Sequence, residues 1–256
     1  MIKPSNSLEQ QAPLSPHTGE QVAWACAQTA FEAKRYNDSI LFFTELIRYN
    51  PRLSKTQREL LSSAYKHSIS SARNSLHIIE DEIIAYEKKG DLDVVKQLDD
   101  IQKSLKDEIT KGCNSFLQLI DSTLLPVTSE AQTIVFYHKL KGDYYRYMAE
   151  LSADDDLNSG RARASYEMAM KSVGDEMKMA DPVYLGLILN FCVFQYEILG
   201  MKDEAIDRAD VSFNEATRYL EELDEQEYTE ATMILQLLRD NISMWKDEKT
   251  EAEPHG

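Results

Sequence analysis

From about residue 19 onward the chain alternates apolar and polar positions in the 3.6-residue period of amphipathic helices, interrupted by short polar breaks. QVAWACAQTAFEAK predicts a first helix that ends at Arg35-Tyr36, and YNDSILFFTELIRYN a second that stops before Pro51. Ser54 is placed to cap a long third helix, with Leu61, Ala64, Ala72, Leu76 and Ile79 on one face. It runs to Lys88-Lys89-Gly90, where basic residues followed by glycine are stop signals. A fourth helix, about 91–121, carries the stripe Leu98, Ile101, Leu105, Ile109, Phe116 and Ile120 and is broken at Pro126. A fifth covers about 128–152, SADDDLNSG reads as a loop, and a sixth covers about 159–178. Asp181-Pro182 opens a seventh that Gly200 ends; an eighth spans about 203–221 and a ninth about 226–247. No period-two pattern is present, so the expected fold class is all-α, nine antiparallel helices on short connections.

Residues 1–18 are polar, proline-bearing and aperiodic, and predict a disordered arm; 19–247 read as one helical domain and 248–256 as a short acidic tail. There is no fixed repeat of about 34–40 residues, and the third and fourth helices are too long for a repeat solenoid.

Charge narrows the function. The formal net charge is -16, with 44 acidic against 28 basic residues. Nucleic acid and anionic membrane are unexpected partners, because both need a broad basic surface. Any bound anion has to be caught by a local cation cluster. Cys26, Cys113 and Cys192 form an odd set without CxxC spacing, which predicts buried, reduced thiols. No run of about 18 apolar residues occurs, and the first residues lack a basic segment followed by an apolar core. The expectation is a cytoplasmic protein, with access to the nucleus left open.

Four helices break the rule that charge faces outward. In KGDYYRYMAE (141–150), Asp143, Arg146, Tyr147 and Glu150 share one face. On the third helix Lys66 and Arg73 are seven residues apart, nearly two turns, hence on one side. Gly186, Asn190, Val193 and Glu197 make one stripe of the seventh helix, and Ile234, Leu237, Asn241 and Trp245 one of the ninth. Singly, each has an ordinary alternative: a solvated cation pair, a satisfied core asparagine, a core tryptophan. Together they fit a phosphate monoester, which carries about -1.5 to -2 charges and three acceptor oxygens. Arg73 and Arg146 supply planar forks, Lys66 a point charge and Tyr147 a hydroxyl donor. Asp143 and Glu150 are placed to hold the guanidiniums in an empty site. Asn190 and Asn241 suit the amides of an extended peptide, and Leu189, Val193, Ile234 and Leu237 an apolar wall.

These segments resemble a known family. KGDYYRYMAE, LGLILNFCVFQYEIL (185–199), LLRDNISMW (237–245) and RELLSSAYKHSISSAR (58–73) are similar, in order and spacing, to the 14-3-3 phosphopeptide-binding adaptors, over about residues 19–247. The resemblance implies a cup of nine helices that pairs through its N-terminal helices, as a homodimer or a heterodimer with paralogues. It implies an amphipathic groove for phosphoserine or phosphothreonine segments of client proteins. Phosphate contacts carry over to Lys66, Arg73, Arg146 and Tyr147. Peptide-backbone contacts carry over to Asn190, Glu197 and Asn241, with Trp245 beside them, and the hydrophobic side to Leu189, Val193, Ile234 and Leu237. Neither a cofactor nor a metal is implied.

The chain departs from the family pattern at several points. Leu76-His77 stands where tryptophan-arginine is usual, which exchanges one groove-floor arginine for His77, with weaker or pH-sensitive phosphate binding as the expected consequence. Ser63 replaces a groove-lining valine and Tyr184 an arginine. Among dimer positions, Arg35 and Glu108 match an intersubunit ion pair. Asp38 is present, but its usual lysine partner aligns with Ser104, between Lys103 and Lys106. Ile101 replaces an interface tyrosine, Thr29 and Phe31 are atypical, and Ser75 aligns with a serine whose phosphorylation loosens some relatives. A homodimer of altered strength is expected, since an exposed ion pair contributes only about 0–1 kcal/mol.

Two rivals are weaker. The five histidines, at 17, 67, 77, 138 and 255, show no Glu-x-x-His spacing, and no nucleophile elbow, P-loop or zinc spacing occurs, so an enzyme is not expected. The alternative is a tetratricopeptide-like scaffold whose basic groove takes the carboxylate of unphosphorylated acidic or C-terminal peptides.

Overall fold

The computed structural model describes residues 18–152, 155–174 and 177–252. The expected arm up to residue 17 and the last four residues of the expected tail lie outside the described residues. All regular structure among the described residues is helical: α1 (Gly19–Glu32), α2 (Tyr36–Tyr49), α3 (Lys55–Lys89), α4 (Leu92–Leu119), α5 (Ala131–Ala149), α6 (Asp156–Ser172), α7 (Pro182–Glu197), α8 (Lys202–Thr217) and α9 (Glu225–Ala252). After α4 the chain widens into a π turn at Ile120–Leu124 and tightens into a 3₁₀ turn at Leu125–Val127, which accommodates Pro126. A second 3₁₀ turn lies at Leu220–Glu222.

Local chemistry explains the boundaries. Ser54 Oγ accepts from the Gln57 amide while Gln57 Oε1 accepts from the Ser54 amide, a reciprocal cap that starts α3. Asp181 accepts from the amides of Val183 and Tyr184, and Pro182 occupies the first turn of α7. Gly90 (φ 77°) and Gly200 (φ 64°) take the left-handed conformation just beyond α3 and α7. Several boundaries differ from the sequence expectation: α6 ends at Ser172 rather than near 178, and α8 at Thr217 rather than near 221. α6 begins at Asp156, inside the stretch read as a loop, because Asp155 caps it by accepting from the Asn158 amide at 3.0 Å. α9 continues through Ala252, five residues into the expected tail, where Lys249 is held to Asp203 of α8 at 2.6 Å.

The chain divides into two compact units between Ala64 and Tyr65, within α3. In the first, α1 and α2 form a hairpin closed by an edge-to-face contact of Trp24 with Phe43 and by Ser39 Oγ donating to the Ala27 carbonyl at 2.8 Å. In the second, α5 packs on α6 and α7, and α7 on α8 and α9. Its core includes Tyr166 against Phe191 and Phe194, and Trp245 stacked on Tyr196 with ring centroids 4.6 Å apart. An aromatic ladder crosses three helices. Tyr65 of α3 stacks on Phe116 of α4 at 4.1 Å, Phe116 meets Tyr144 of α5 edge-on at 4.8 Å, and Tyr144 leans on Tyr147 at 5.4 Å. The ladder fixes α3 relative to α5, which is what the site described below requires. No disulfide is formed: Cys113 and Cys192 are buried, and burial pushes each thiol up to about 12. Cys26 is half-exposed, unlike the buried thiol expected.

Two glycines of the second unit separate packing from propensity. A Cβ on Gly142 of α5 would lie 2.5 Å from ring carbons of Tyr166, whereas one on Gly160 of α6 would meet nothing within 4 Å. Gly142→Ala is therefore expected to destabilise by about 1–3 kcal/mol through overpacking. Gly160→Ala is expected to be neutral or to stabilise by up to about 1 kcal/mol through helix propensity. Urea unfolding of both variants checks the contrast.

Candidate functional site

The expected phosphate residues come from α3 and α5. Arg73 projects from α3, and Arg146 and Tyr147 from the last turn of α5. One carboxylate joins them. Arg73 Nη2 donates to Glu150 Oε2 and Arg146 Nη1 to Glu150 Oε1, each at 2.5 Å. Both guanidiniums also lie over the Tyr147 ring, Arg73 at 4.0 Å and Arg146 at 4.8 Å from its centroid. Burial disfavours the Arg146 charge, but the surrounding phenols and carboxylates, led by Tyr166 and Glu150, hold its pKa above the usual arginine range. Burial, reinforced by Asp143, pushes the Tyr147 phenol up to about 12, so it remains a donor near neutrality.

Asp143 does not share in this clamp, contrary to expectation. One turn before Arg146 it is buried, and its Oδ1 accepts from Tyr166 Oη of α6 and Asn190 Nδ2 of α7, both at 2.7 Å. Its Oδ2 accepts from Lys139 Nζ at 3.0 Å. With its lone pairs directed at three partners, Asp143 fastens α5 to α6 and α7, and Glu150 alone bridges the arginines. Lys139 and Tyr166 are the residues that sequence reasoning missed. Lys139 lies one turn before Asp143 on α5, a spacing that could have flagged it, whereas nothing in the sequence places Tyr166 here.

A cleft of about 770 Å³ opens beside the clamp, lined by Arg73, His77, Arg146, Glu150, Asp156 and Glu197 among others. Glu197 is exposed, and desolvation at the cleft wall raises its pKa despite the opposing pull of Arg146. Lys66 is exposed on α3, two turns before Arg73, and is not part of this lining. Asn190 is half-buried and already donates to Asp143. Asn241 is half-buried on α9. Trp245 is only 1% exposed and belongs to the core with Ile188, Cys192, Leu238 and Ile242. Leu189 and Val193 pack at the edge of that cluster, and Ile234 on a neighbouring one with Leu185 and Ala231. Leu237 stays 54% exposed. The structure thus brings Arg73, Arg146 and Tyr147 together with Glu197 nearby, while Lys66 lies two turns before Arg73 on α3 and outside the lining of this cleft.

Comparison with known proteins now bears on this geometry. A protein-family model described as "14-3-3 protein" matches residues 26–246. The chain belongs to the 14-3-3 family. It is 36% identical over 231 residues to 14-3-3 protein 7 of Solanum lycopersicum, covering 90% of this chain and 92% of that protein. It is 37% identical over 221 residues to 14-3-3-like protein 2 of Caenorhabditis elegans, covering 86% and 88%. It is 36% identical over 239 residues to the 14-3-3 family protein artA of Aspergillus flavus, covering 92% and 98%. Family membership supports a role as an adaptor that binds phosphopeptides, and as a member of a family of non-catalytic adaptors the protein is not an enzyme. Among the described residues, no group of three acidic, histidine or cysteine side chains is arranged to hold a metal, and no helix is long and apolar enough to cross a membrane.

The clamp itself is testable. Glu150→Gln keeps the shape but removes the charge that both guanidiniums face. The expected result is a loss of about 1–3 kcal/mol in stability, because two largely desolvated cations lose their counter-charge. The same variant should gain more stability from added inorganic phosphate than the parent does, since the anion no longer competes with Glu150. Urea melts with and without phosphate measure both.

Proposed function

We propose that the protein binds phosphoserine- or phosphothreonine-containing segments of client proteins in the α3/α5 cleft and acts on them as a dimeric clamp, without covalent chemistry. The observation that carries this reading is the pair of guanidiniums from two helices, converged on one carboxylate beside a phenol that stays protonated. An incoming ester takes the seat of the Glu150 carboxylate. Arg73 and Arg146 each offer it a planar fork, Tyr147 a hydroxyl, and Lys66 a point charge from the rim. Asn190 has a second amide hydrogen and its carbonyl oxygen for the peptide backbone beyond the bond it makes to Asp143. Asn241 and Glu197 extend the backbone contacts, and Trp245 supports that wall from the core. Leu189, Val193, Ile234 and Leu237 take the client's apolar side chains.

Pairing is proposed through the N-terminal helices. The α1/α2 hairpin carries a mostly apolar groove of about 390 Å³ lined by Ala25, Cys26, Thr29, Ala30, Ala33 and Phe42, with Arg35 and Asp38 at its edge. Within one chain Arg35 already pairs with Asp38 at 2.5 Å, so a pair across the dimer to Glu108 requires Arg35 to exchange partners. Ile101, Glu108 and Ser75 are proposed on the opposing surface, of which Ile101 and Glu108 are exposed and Ser75 half-exposed. Two grooves in one dimer raise the affinity for a doubly phosphorylated client by about 10²–10⁴ over a single site. A cytoplasmic location, with access to the nucleus, fits such clients.

Calorimetry with matched phosphorylated and plain serine peptides tests the reading. Phosphorylation is expected to tighten binding by at least about 100-fold, two charge-assisted forks contributing about 1.5–3 kcal/mol each. Arg73→Ala should remove most of that gain. Tyr147→Phe, which keeps the ring under both guanidiniums, should cost about tenfold or less. Equal affinity for the two peptides would instead indicate a scaffold that reads carboxylates.

A further inference from the structure

The cleft wall carries hydroxyls as well as charges. Of the serines that line it, Ser152 is exposed and Ser159 half-buried. Ser152 follows the end of α5, two positions after Glu150. Its amide donates to the Ala149 carbonyl at 3.4 Å, and its carbonyl accepts from the Asp155 amide at 3.2 Å. The backbone is thus tied to the last residue of α5 on one side and to the cap of α6 on the other. These ties hold Ser152 on the same wall as Arg73 and Arg146.

The residues that follow mark this hydroxyl chemically. Asp155 and Asp156 stand three and four positions on, and among the described residues neither is paired with a cation. A serine with carboxylates at that distance fits a protein kinase whose peptide groove is basic, because opposite charge steers and registers the encounter. An exposed segment between two helices also gives such an enzyme access.

We propose that Ser152 is a phosphorylation site, and that its phosphate enters the cleft beside Arg73 and Arg146 and lowers the affinity for clients. The modification stands on its own, whereas its effect rests on the phosphate-binding reading above. ATP is the donor. Ser152 Oγ attacks the γ-phosphorus, a new P–O bond forms as the bond to the β,γ-bridging oxygen breaks, ADP leaves, and the hydroxyl proton passes to the kinase's base. The ester adds about -1.5 to -2 charges and three acceptor oxygens. It joins a lining that already sets the carboxylates Glu150, Asp156 and Glu197 against the two arginines. Glu150 shows that a side chain at this end of α5 reaches both guanidiniums. A phosphate two positions further along repels an incoming ester and competes with it as a tethered rival, at an effective concentration of about millimolar.

The test uses the full chain. A purified acid-directed serine/threonine kinase and ATP are applied to the parent and to Ser152→Ala, and mass spectrometry maps the product. Phosphate is expected on Ser152 of the parent. Separately, phosphoserine is placed at position 152 during translation, with circular dichroism as the check on folding. Fluorescence anisotropy with a phosphoserine peptide is expected to give a Kd at least about tenfold higher for that protein than for the unmodified chain. Kinase treatment should leave the Kd of Ser152→Ala where it was. Absence of phosphate from Ser152 after treatment overturns the site. An unchanged or lower Kd with phosphoserine at 152, while the unmodified chain still prefers the phosphorylated peptide to its plain twin, overturns the effect and leaves the phosphate-binding reading intact. Loss of that preference in the unmodified chain overturns the reading and the effect together.

Discussion

Two arginines that approach one carboxylate from different helices set the terms for the rest of this molecule. Like charges a few ångströms apart repel strongly once water is displaced, and Arg146 is nine-tenths buried. The pair is tolerable only because Glu150 offers one oxygen to each and the Tyr147 ring lies under both. Geometry at this scale cannot rest on α5 alone. The Tyr65–Phe116–Tyr144 ladder holds α3 at the distance from α5 that lets Arg73 reach a residue 77 positions later in the chain. The aromatic core and the ionic site are therefore parts of one construction, with packing determining where charge can stand.

Asp143 does for α6 and α7 what the ladder does for α3. A buried carboxylate survives only with its lone pairs satisfied, and here a lysine, a tyrosine and an asparagine satisfy them from three helices. Close approach of α5 and α6 depends on Gly142, which leaves room for the Tyr166 ring whose hydroxyl completes the set. The two acidic residues that share a face of KGDYYRYMAE thus have unlike tasks. Asp143 ties elements together and is not free to meet a ligand, whereas Glu150 sits at the cleft, where an incoming anion can compete with it.

Much of this was legible in the sequence, and for identifiable reasons. Helix boundaries set by proline, glycine or a serine cap, such as Ser54, Gly90 and Pro182, fall where local chemistry dictates. The start of α6 was missed because an aspartate cap inside SADDDLNSG looks like loop composition until its side chain is seen on the Asn158 amide. That Arg73 and Arg146 each lie on an unusually polar helix face could be read from the period, whereas the meeting of the two faces was implied by the family resemblance. The division of labour between Asp143 and Glu150 could not be read there, since both lie on one face of α5 and only the neighbouring helices distinguish them. Tyr166 was invisible for the same reason: nothing local marks a core tyrosine 23 residues from the carboxylate it serves. Trp245, flagged beside the backbone contacts, is a core ring, and its periodicity with Asn241 could not separate the two sides of α9.

On the proposed function, the Glu150 carboxylate that holds both arginines also bears on how the cleft would distinguish a phosphate from a carboxylate. Glu150 is tethered, so it competes for the arginines as a ligand at high effective concentration. A client's carboxylate brings the same two oxygens and the same single charge, and exchanging one for the other gains almost nothing while the client loses its freedom of motion. A phosphate monoester brings a third terminal oxygen and a second charge, which the two forks and the Tyr147 hydroxyl can use and Glu150 cannot supply. On the proposed function, a seat already held by the chain's own carboxylate would favour, over the abundant weaker anions, one with more charge than the residue it displaces.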